Sequence, residues 1–76
     1  MKTTIIAILI KILFVDAETK ETLPAVKVVT NEHTYYSNLD GYVSIPNNEK
    51  IVSINYISYS DISNISLKND TTITLH

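Results

Sequence analysis

Two histidines, eight carboxylates and no cysteine bound the chemistry open to this chain. His33, beside Glu32, and His76 carry the two imidazoles. A metal centre needs three or four such ligands brought together. Two histidines far apart in sequence are a poor set, and both are read as exposed loop and terminal residues. Asp16 with Glu18, and Asp40 alone, have the right groups for general acid–base work. Both places lie in polar stretches where an Asp side chain bonds nearby backbone N–H groups, so a turn-stabilising role is expected. Asn38-x-Asp40-Gly41 echoes part of a calcium loop, but its remaining oxygen ligands are missing. Without Cys there is no disulfide, thiolate zinc site or Cys nucleophile. Gly41 is the sole glycine, which excludes a Gly-x-Ser-x-Gly nucleophile elbow. No catalytic residue, cofactor or metal is therefore expected, and the chain is read as a non-enzyme.

The tyrosines are the remaining chemical resource. Tyr35, Tyr36, Tyr42 and Tyr59 form a candidate interaction surface, because an exposed Tyr gives large contact area at low entropy cost. The bland reading is that Tyr is a common strand residue, and Tyr56 is assigned to the core on that ground. Tyr36 and Tyr42 are expected to pair across a hairpin. Six lysines, no arginine and a net charge of −2 disfavour a phosphate-reading surface, so nucleic acid is not expected as a partner.

The elements that must position these residues are strands. Ile, Val, Thr and Tyr make up 32 of 76 residues, which favours a pleated, half-buried surface over a helical bundle. Alternation predicts strands at Ile10–Val15, Ala25–Thr30, Thr34–Ser37, Tyr42–Ile45 and Ile51–Ile57, a sixth marked by Ile65 and Leu67, and a last at Thr71–Leu75. Turn signals separate them: Asp16 to Thr22 with Thr19, then Pro24, Asn31-Glu32-His33, Asp40-Gly41, Pro46 to Glu49, Ser60-Asp61 and Lys68-Asn69-Asp70. Asp40-Gly41 between two β-prone runs reads as a hairpin, because Gly takes positive φ without steric cost. The expected core is Ile12, Phe14, Val26, Val28, Val43, Ile45, Val52, Ile54, Tyr56, Ile65, Leu67, Ile73 and Leu75. About seven short strands with regular turns predict a small antiparallel Greek-key β-sandwich, in one domain spanning residues 1–76.

The first ten residues carry two readings. Ile5 to Val15 is apolar apart from Lys11, too short for a membrane span of roughly 20 residues. Met1-Lys2 before an apolar run resembles the start of a secretory signal, yet Lys11 interrupts it and no small-x-small cleavage site follows. Residues 1–10 are read as a strand extension, or as a remnant signal. An apolar extension invites edge pairing, so a homodimer through the N-terminal strand is expected.

Three segments then resemble one family in order. Val15 to Val28 resembles its opening V-x-D-x-x-T-G-x-P-L-P-G-V-x-V, with Asp16, Thr19, Pro24 and Val26 in place. Ser37-Asn38-Leu39-Asp40-Gly41-Tyr42-Val43-Ser44-Ile45 resembles T-D-x-D-G-x-F-x-I. Ile54-Asn55-Tyr56-Ile57-Ser58-Tyr59 resembles V-S-Y-I-G-Y. The family is the carboxypeptidase regulatory-like domain, a transthyretin-like (prealbumin-like) β-sandwich found ahead of TonB-dependent outer-membrane receptors and on other exported proteins. Lys20, Thr22, Ala25 and Ser58 stand where the pattern has Gly, Pro, Gly and Gly, and Ile12 stands where its first strand usually has Gly. The resemblance implies a non-catalytic accessory or protein-interaction module of the periplasm, outer membrane or cell surface, with a larger receptor or assembly as partner. A small carbohydrate-binding module using exposed tyrosines is the alternative. Related hydroxyisourate hydrolases use an early His, an Arg and a C-terminal Tyr-Arg-Gly-Ser. This chain has no Arg and reads Thr74-Leu75-His76, so that activity is not expected.

Overall fold

The computed structural model describes residues 8–76. Residues 1–7, on which much of the extension, signal and N-terminal dimer readings falls, lie outside the described residues.

Among the described residues, seven strands form two sheets and there is no helix. The strands are β1 (Leu9–Asp16), β2 (Lys27–Thr30), β3 (Thr34–Tyr36), β4 (Tyr42–Pro46), β5 (Ile51–Asn55), β6 (Ile62–Ile65) and β7 (Thr71–Leu75). One sheet has the order β4-β1-β7 and the other β3-β2-β5-β6. Successive strands reverse direction, so odd strands run towards one end of the sandwich and even strands away from it. Every neighbouring pair of unlike parity is antiparallel. β1 and β7 share a parity and lie side by side in parallel, with Phe14 opposite Ile73.

Period-two alternation places Ile10, Ile12 and Phe14 of β1 inward, with Lys11 outward. Val43, Ile45, Ile73 and Leu75 from the same sheet meet Val28, Ile51 and Ile54 from the other, and Val26 and Leu23 close the core from the loop before β2. Tyr56, Ile65 and Leu67 pack against this core half-buried. Ile10, Leu23 and Ile51 join it beyond the residues predicted.

Three predictions need correction. Val52, expected inward, is 43% exposed, while its neighbour Ile51 is buried. The cause is a bulge: Val29 faces Ser53 but Thr30 faces Ile51, so β5 carries one residue more than β2 there. A bulge interrupts the alternation, and Ile51 and Ile54 both reach the core. The sixth strand sits at Ile62–Ile65, earlier than Ile65 and Leu67 suggested. Finally, β3 and β4 do not form a hairpin. β3 pairs with β2 and β4 with β1, in different sheets, so Tyr36 lies opposite Lys27 and Tyr42 opposite Leu13.

The Asn38–Gly41 turn is therefore an arch between sheets. The Gly41 N–H donates to the Asn38 carbonyl at 2.9 Å, and the Asn38 side-chain oxygen accepts the N–H groups of Asp40 and Tyr42 at 3.0 Å. Gly41 has φ +85°, and its carbonyl accepts the Phe14 N–H at 2.9 Å. The turn is where the sequence placed it, but Asp-Gly specifies a backbone conformation and not the partner of the next strand.

Candidate functional site

The loops 17–26, 37–41 and 56–61 gather with His76 at the end towards which the odd strands run. Backbone hydrogen bonds bind them together: Ala17 N–H to Leu75 carbonyl at 3.0 Å, Ser60 N–H to His76 carbonyl at 2.7 Å, and Ala25 N–H to Ser37 carbonyl at 2.9 Å. Turns 31–33, 47–50 and 66–70 form the opposite end.

Asp16 organises the first of the gathered loops. One of its carboxylate oxygens accepts the N–H groups of Glu18 at 2.7 Å and Thr19 at 2.8 Å, as expected for a turn-stabilising Asp. The other accepts the Tyr59 hydroxyl, which ties this loop to the 56–61 loop. The Tyr59 hydrogen bond, helped by the two backbone N–H groups, lowers the Asp16 pKa to about 2. The same bond, with burial and the nearby negative charge, raises Tyr59 to about 12. Thr19 accepts the Glu21 N–H at 3.2 Å, and Pro24 lies in the turn before Ala25. A pocket of about 350 Å³ opens here, with Asp16, Glu18, Ser58, Tyr59 and His76 in its wall.

A second network lies at the opposite end, and sequence spacing held no signal for it. The Glu49 side chain is only 8% exposed. It accepts the Thr30 hydroxyl at 2.6 Å and the Tyr35 hydroxyl at 2.9 Å, with His33 Nδ1 at 3.5 Å. The Thr30 oxygen in turn accepts the N–H groups of Glu32 and His33. These bonds join the β2–β3 turn to the β4–β5 turn, and the Thr30 hydrogen bond leads in holding Glu49 below its usual pKa. Burial, reinforced by Glu49, raises Tyr35.

Both carboxylates titrate low in the fold, so the unfolded chain takes up their protons first as pH falls. Their contribution to stability is complete above the ordinary carboxylate range and is lost as pH drops through the folded values, for Asp16 through about 2. The raised Tyr59 contributes below about pH 10 and loses its effect as pH rises through about 12. Tyr59→Phe should flatten the fall in urea midpoint between pH 4 and pH 2. Parallel curves for the two proteins would refute the assignment.

The structure disperses the other candidates. His33 and His76 sit at opposite ends. Among the described residues no group of three or more His, Cys, Asp or Glu is placed to hold a metal. The Asn38 oxygen of the calcium-like stretch is already engaged by backbone N–H groups. The tyrosines do not share one platform. Tyr36 is 60% exposed on an edge strand, Tyr35 holds Glu49, Tyr59 holds Asp16, and Tyr42 lies under the Lys11 ammonium at 4.1 Å.

Two apolar residues, not singled out from sequence, stand out at the gathered loops. Leu39 is 90% and Ile57 86% exposed. Full burial of such a side chain contributes about 1.5–3 kcal/mol. Ile57 borders a shallow groove of about 540 Å³ with Ala25, Lys27, Tyr56 and Asp61. Charge is also unevenly placed. Among the described residues, Asp16, Glu18, Glu21, Asp40 and Asp61 accompany Lys20 and Lys27 at this end, whereas Glu32, Glu49 and Asp70 are balanced by Lys11, Lys50 and Lys68 elsewhere. Asp16 is committed to Tyr59, and the Lys20 ammonium donates to the Ala17 carbonyl at 2.9 Å.

No helix among the described residues is long and apolar enough to cross a membrane. Comparisons with family models, with curated proteins and with solved structures found no match.

Proposed function

We propose that this chain is a non-catalytic accessory module of the carboxypeptidase regulatory-like kind, which binds another protein within an exported or cell-surface system. The supporting observation is in the backbone. Among the described residues, four that are not glycine have positive φ, and three of them are Lys20 (64°), Ala25 (61°) and Ser58 (71°). These are three of the four positions at which the family pattern carries Gly and this chain does not; the fourth, Ile12, lies within β1 and has no positive φ. An L-residue in the left-handed region costs about 1–2 kcal/mol. A loop path drawn for Gly and kept without it favours descent from that pattern over chance resemblance of short motifs. The ionisable side chains also fit a binding module. Asp16 spends its hydrogen-bonding capacity on its own turn and on Tyr59, and Glu49 on Thr30 and Tyr35, leaving neither poised to move a substrate proton.

Sugar binding draws less support, since only Tyr36 among the candidate tyrosines offers a freely exposed ring. The test is photo-crosslinking in the native host, with p-benzoylphenylalanine placed singly at Leu39, Ile57, Val52 and Lys68. Discrete protein adducts from at least one position, recovered with the envelope fraction, are expected. Unreacted chain at all four positions would overturn the reading. A tyrosine-fluorescence change on titration with a panel of polysaccharides would put the sugar-binding alternative in its place.

A further inference from the structure

We infer that the outer edge of β7 pairs antiparallel with β7 of a second copy of this chain, joining two three-stranded sheets into one of six strands. Such self-pairing goes beyond the binding of another protein proposed above and does not depend on it. β7 has β1 on one side and, among the described residues, no strand on the other. The Leu75 carbonyl accepts the Ala17 N–H at 3.0 Å, and successive residues of a strand aim their N–H and C=O groups to alternate sides. Thr71, Ile73 and Leu75 therefore bond towards β1, while the backbone groups of Thr72, Thr74 and His76 point away from it along the sheet. The His76 carbonyl is taken by the Ser60 N–H at 2.7 Å. Thr72 and Thr74 keep N–H and C=O groups open to a new strand. Edges are commonly blunted by shortness, Pro, charge or irregular backbone, and the other three edges here carry such features. β3 has three residues. β4 ends on Pro46 and gives its Tyr42 carbonyl to the Asn38 N–H. β6 contains Asn64 at φ 52°. β7 reads Thr-Thr-Ile-Thr-Leu, with no Pro, Gly or charged side chain.

The occupant is a second copy because this edge is complementary to itself. Antiparallel pairing about an axis at Ile73 sets Thr72 opposite Thr74 of the second copy, and Thr74 opposite its Thr72. Both have backbone groups pointing off the edge, so each pair exchanges two N–H···O=C bonds, and Ile73 meets Ile73 as the non-bonded pair between them. The same register matches the faces. Thr72 and Thr74 lie on the solvent side, where Thr–Thr cross-strand pairs are favourable, while Ile73 and Leu75 lie on the core side. β3 and β4 lie against one another, so β6 and β7 share the opposite flank of the sandwich. There Ile62, Ile65 and Leu67 are only half-buried, and a second copy beside β7 adds apolar cover to them. A two-fold contact is closed. It consumes β7 and leaves only blunted edges, so association stops at the dimer. Five residues a side make a small interface, and the dimer is accordingly weak.

The experiment is sedimentation equilibrium of the full chain at concentrations up to about 1 mM, the range suited to a small interface. A reversible monomer–dimer equilibrium is expected, with the Thr72 and Thr74 amides exchanging with deuterium more slowly as concentration rises. Thr72→Lys with Thr74→Lys sets like charges opposite one another and should weaken the dimer at least about tenfold. Thr72→Glu with Thr74→Glu should do the same, and mixing these two variants should restore association as mixed dimers. Thr72→Lys with Thr74→Glu brings opposite charges face to face only in the register centred on Ile73, and should dimerise at least as well as the parent. Thr72→Pro removes an N–H that β1 does not use and should leave a folded monomer. If that variant fails to fold, the charge variants still decide, since substitutions on the solvent side of an edge should leave the urea midpoint close to the parent's. A monomer at every concentration, a dimer unaffected by the paired Lys substitutions, or a mixture of the Lys and Glu variants that stays monomeric would each overturn the inference. None of these outcomes bears on the crosslinking test of the protein-binding reading.

Discussion

Gly41→Ala is expected to destabilise the protein by about 3–4 kcal/mol, combining the left-handed backbone penalty with the strain of an overfilled site. At φ +85° the backbone already disfavours an L-residue. An added Cβ would also stand 2.9 Å from the Thr22 Cβ and 3.1 Å from both the Leu23 nitrogen and the Phe14 carbonyl oxygen. None of these atoms is the far end of a flexible side chain. Relief would require the arch to pull away from β1, breaking the hydrogen bonds from Phe14 to Gly41 and from Leu23 to Phe14. A domain of 76 residues typically has roughly 4–11 kcal/mol of stability in total, so one methyl group would remove a large share. Urea unfolding of the two proteins measures this. A loss under about 1 kcal/mol would mean that the close packing of β1, the 17–26 loop and the arch is not essential. The reverse exchange at Ala25, Ala25→Gly, should stabilise by about 0.5 kcal/mol. There the relief of positive φ slightly exceeds the added freedom of the unfolded chain.

Ser37→Ala should lower stability by about 2–4 kcal/mol, because it strands two backbone groups in the interior. Ser37 is buried, and its hydroxyl accepts the Val26 N–H at 2.8 Å and donates to the Leu23 carbonyl at 2.7 Å. Together with the Ala25 N–H bond to the Ser37 carbonyl and the Ser37 N–H bond to the Val26 carbonyl, it fastens the chain entering β2 to the chain leaving β3. Alanine fills nearly the same space, so the loss reports unsatisfied polar groups rather than a cavity. Ser37→Thr retains the hydroxyl and should lose much less. If the Ala and Thr variants unfold at the same urea concentration, the hydroxyl is not what matters at this position.

Much of the candidate surface was legible in part. Asp16 was identified as a turn residue from its polar neighbourhood, and its bonds to Glu18 and Thr19 are local enough for sequence to imply them. Its bond to Tyr59 joins residues 43 positions apart, and no spacing rule reaches that far. Glu49 is a stronger case. Sequence places it in the Pro46 to Glu49 turn, and its side chain becomes a largely covered hub only because the β2–β3 and β4–β5 turns fold onto the same end. Leu39 was visible as an apolar residue within a turn, whereas Ile57 was read as the end of the fifth strand, which stops at Asn55; whether such a side chain folds back onto the core or points to water depends on the surface beneath it.

The order of alternating residues, taken alone, was enough to determine that this is an all-β chain. It was also enough to locate most of its strands and to place its one glycine in a turn. These are local properties: side chains alternate across a pleated strand with period two, and Gly at positive φ needs no distant partner. The tertiary structure alone decided which strands share a sheet. Every backbone N–H and C=O offers the same ladder bonds, so nothing in Asp40-Gly41 says whether Tyr42 returns beside Tyr36 or crosses to Leu13. Burial decided it, since crossing lets Val43 and Ile45 face Val28 and Ile54 across a closed core. For the same reason only the folded sandwich could bring Tyr59 to Asp16, and Thr30 and Tyr35 to Glu49.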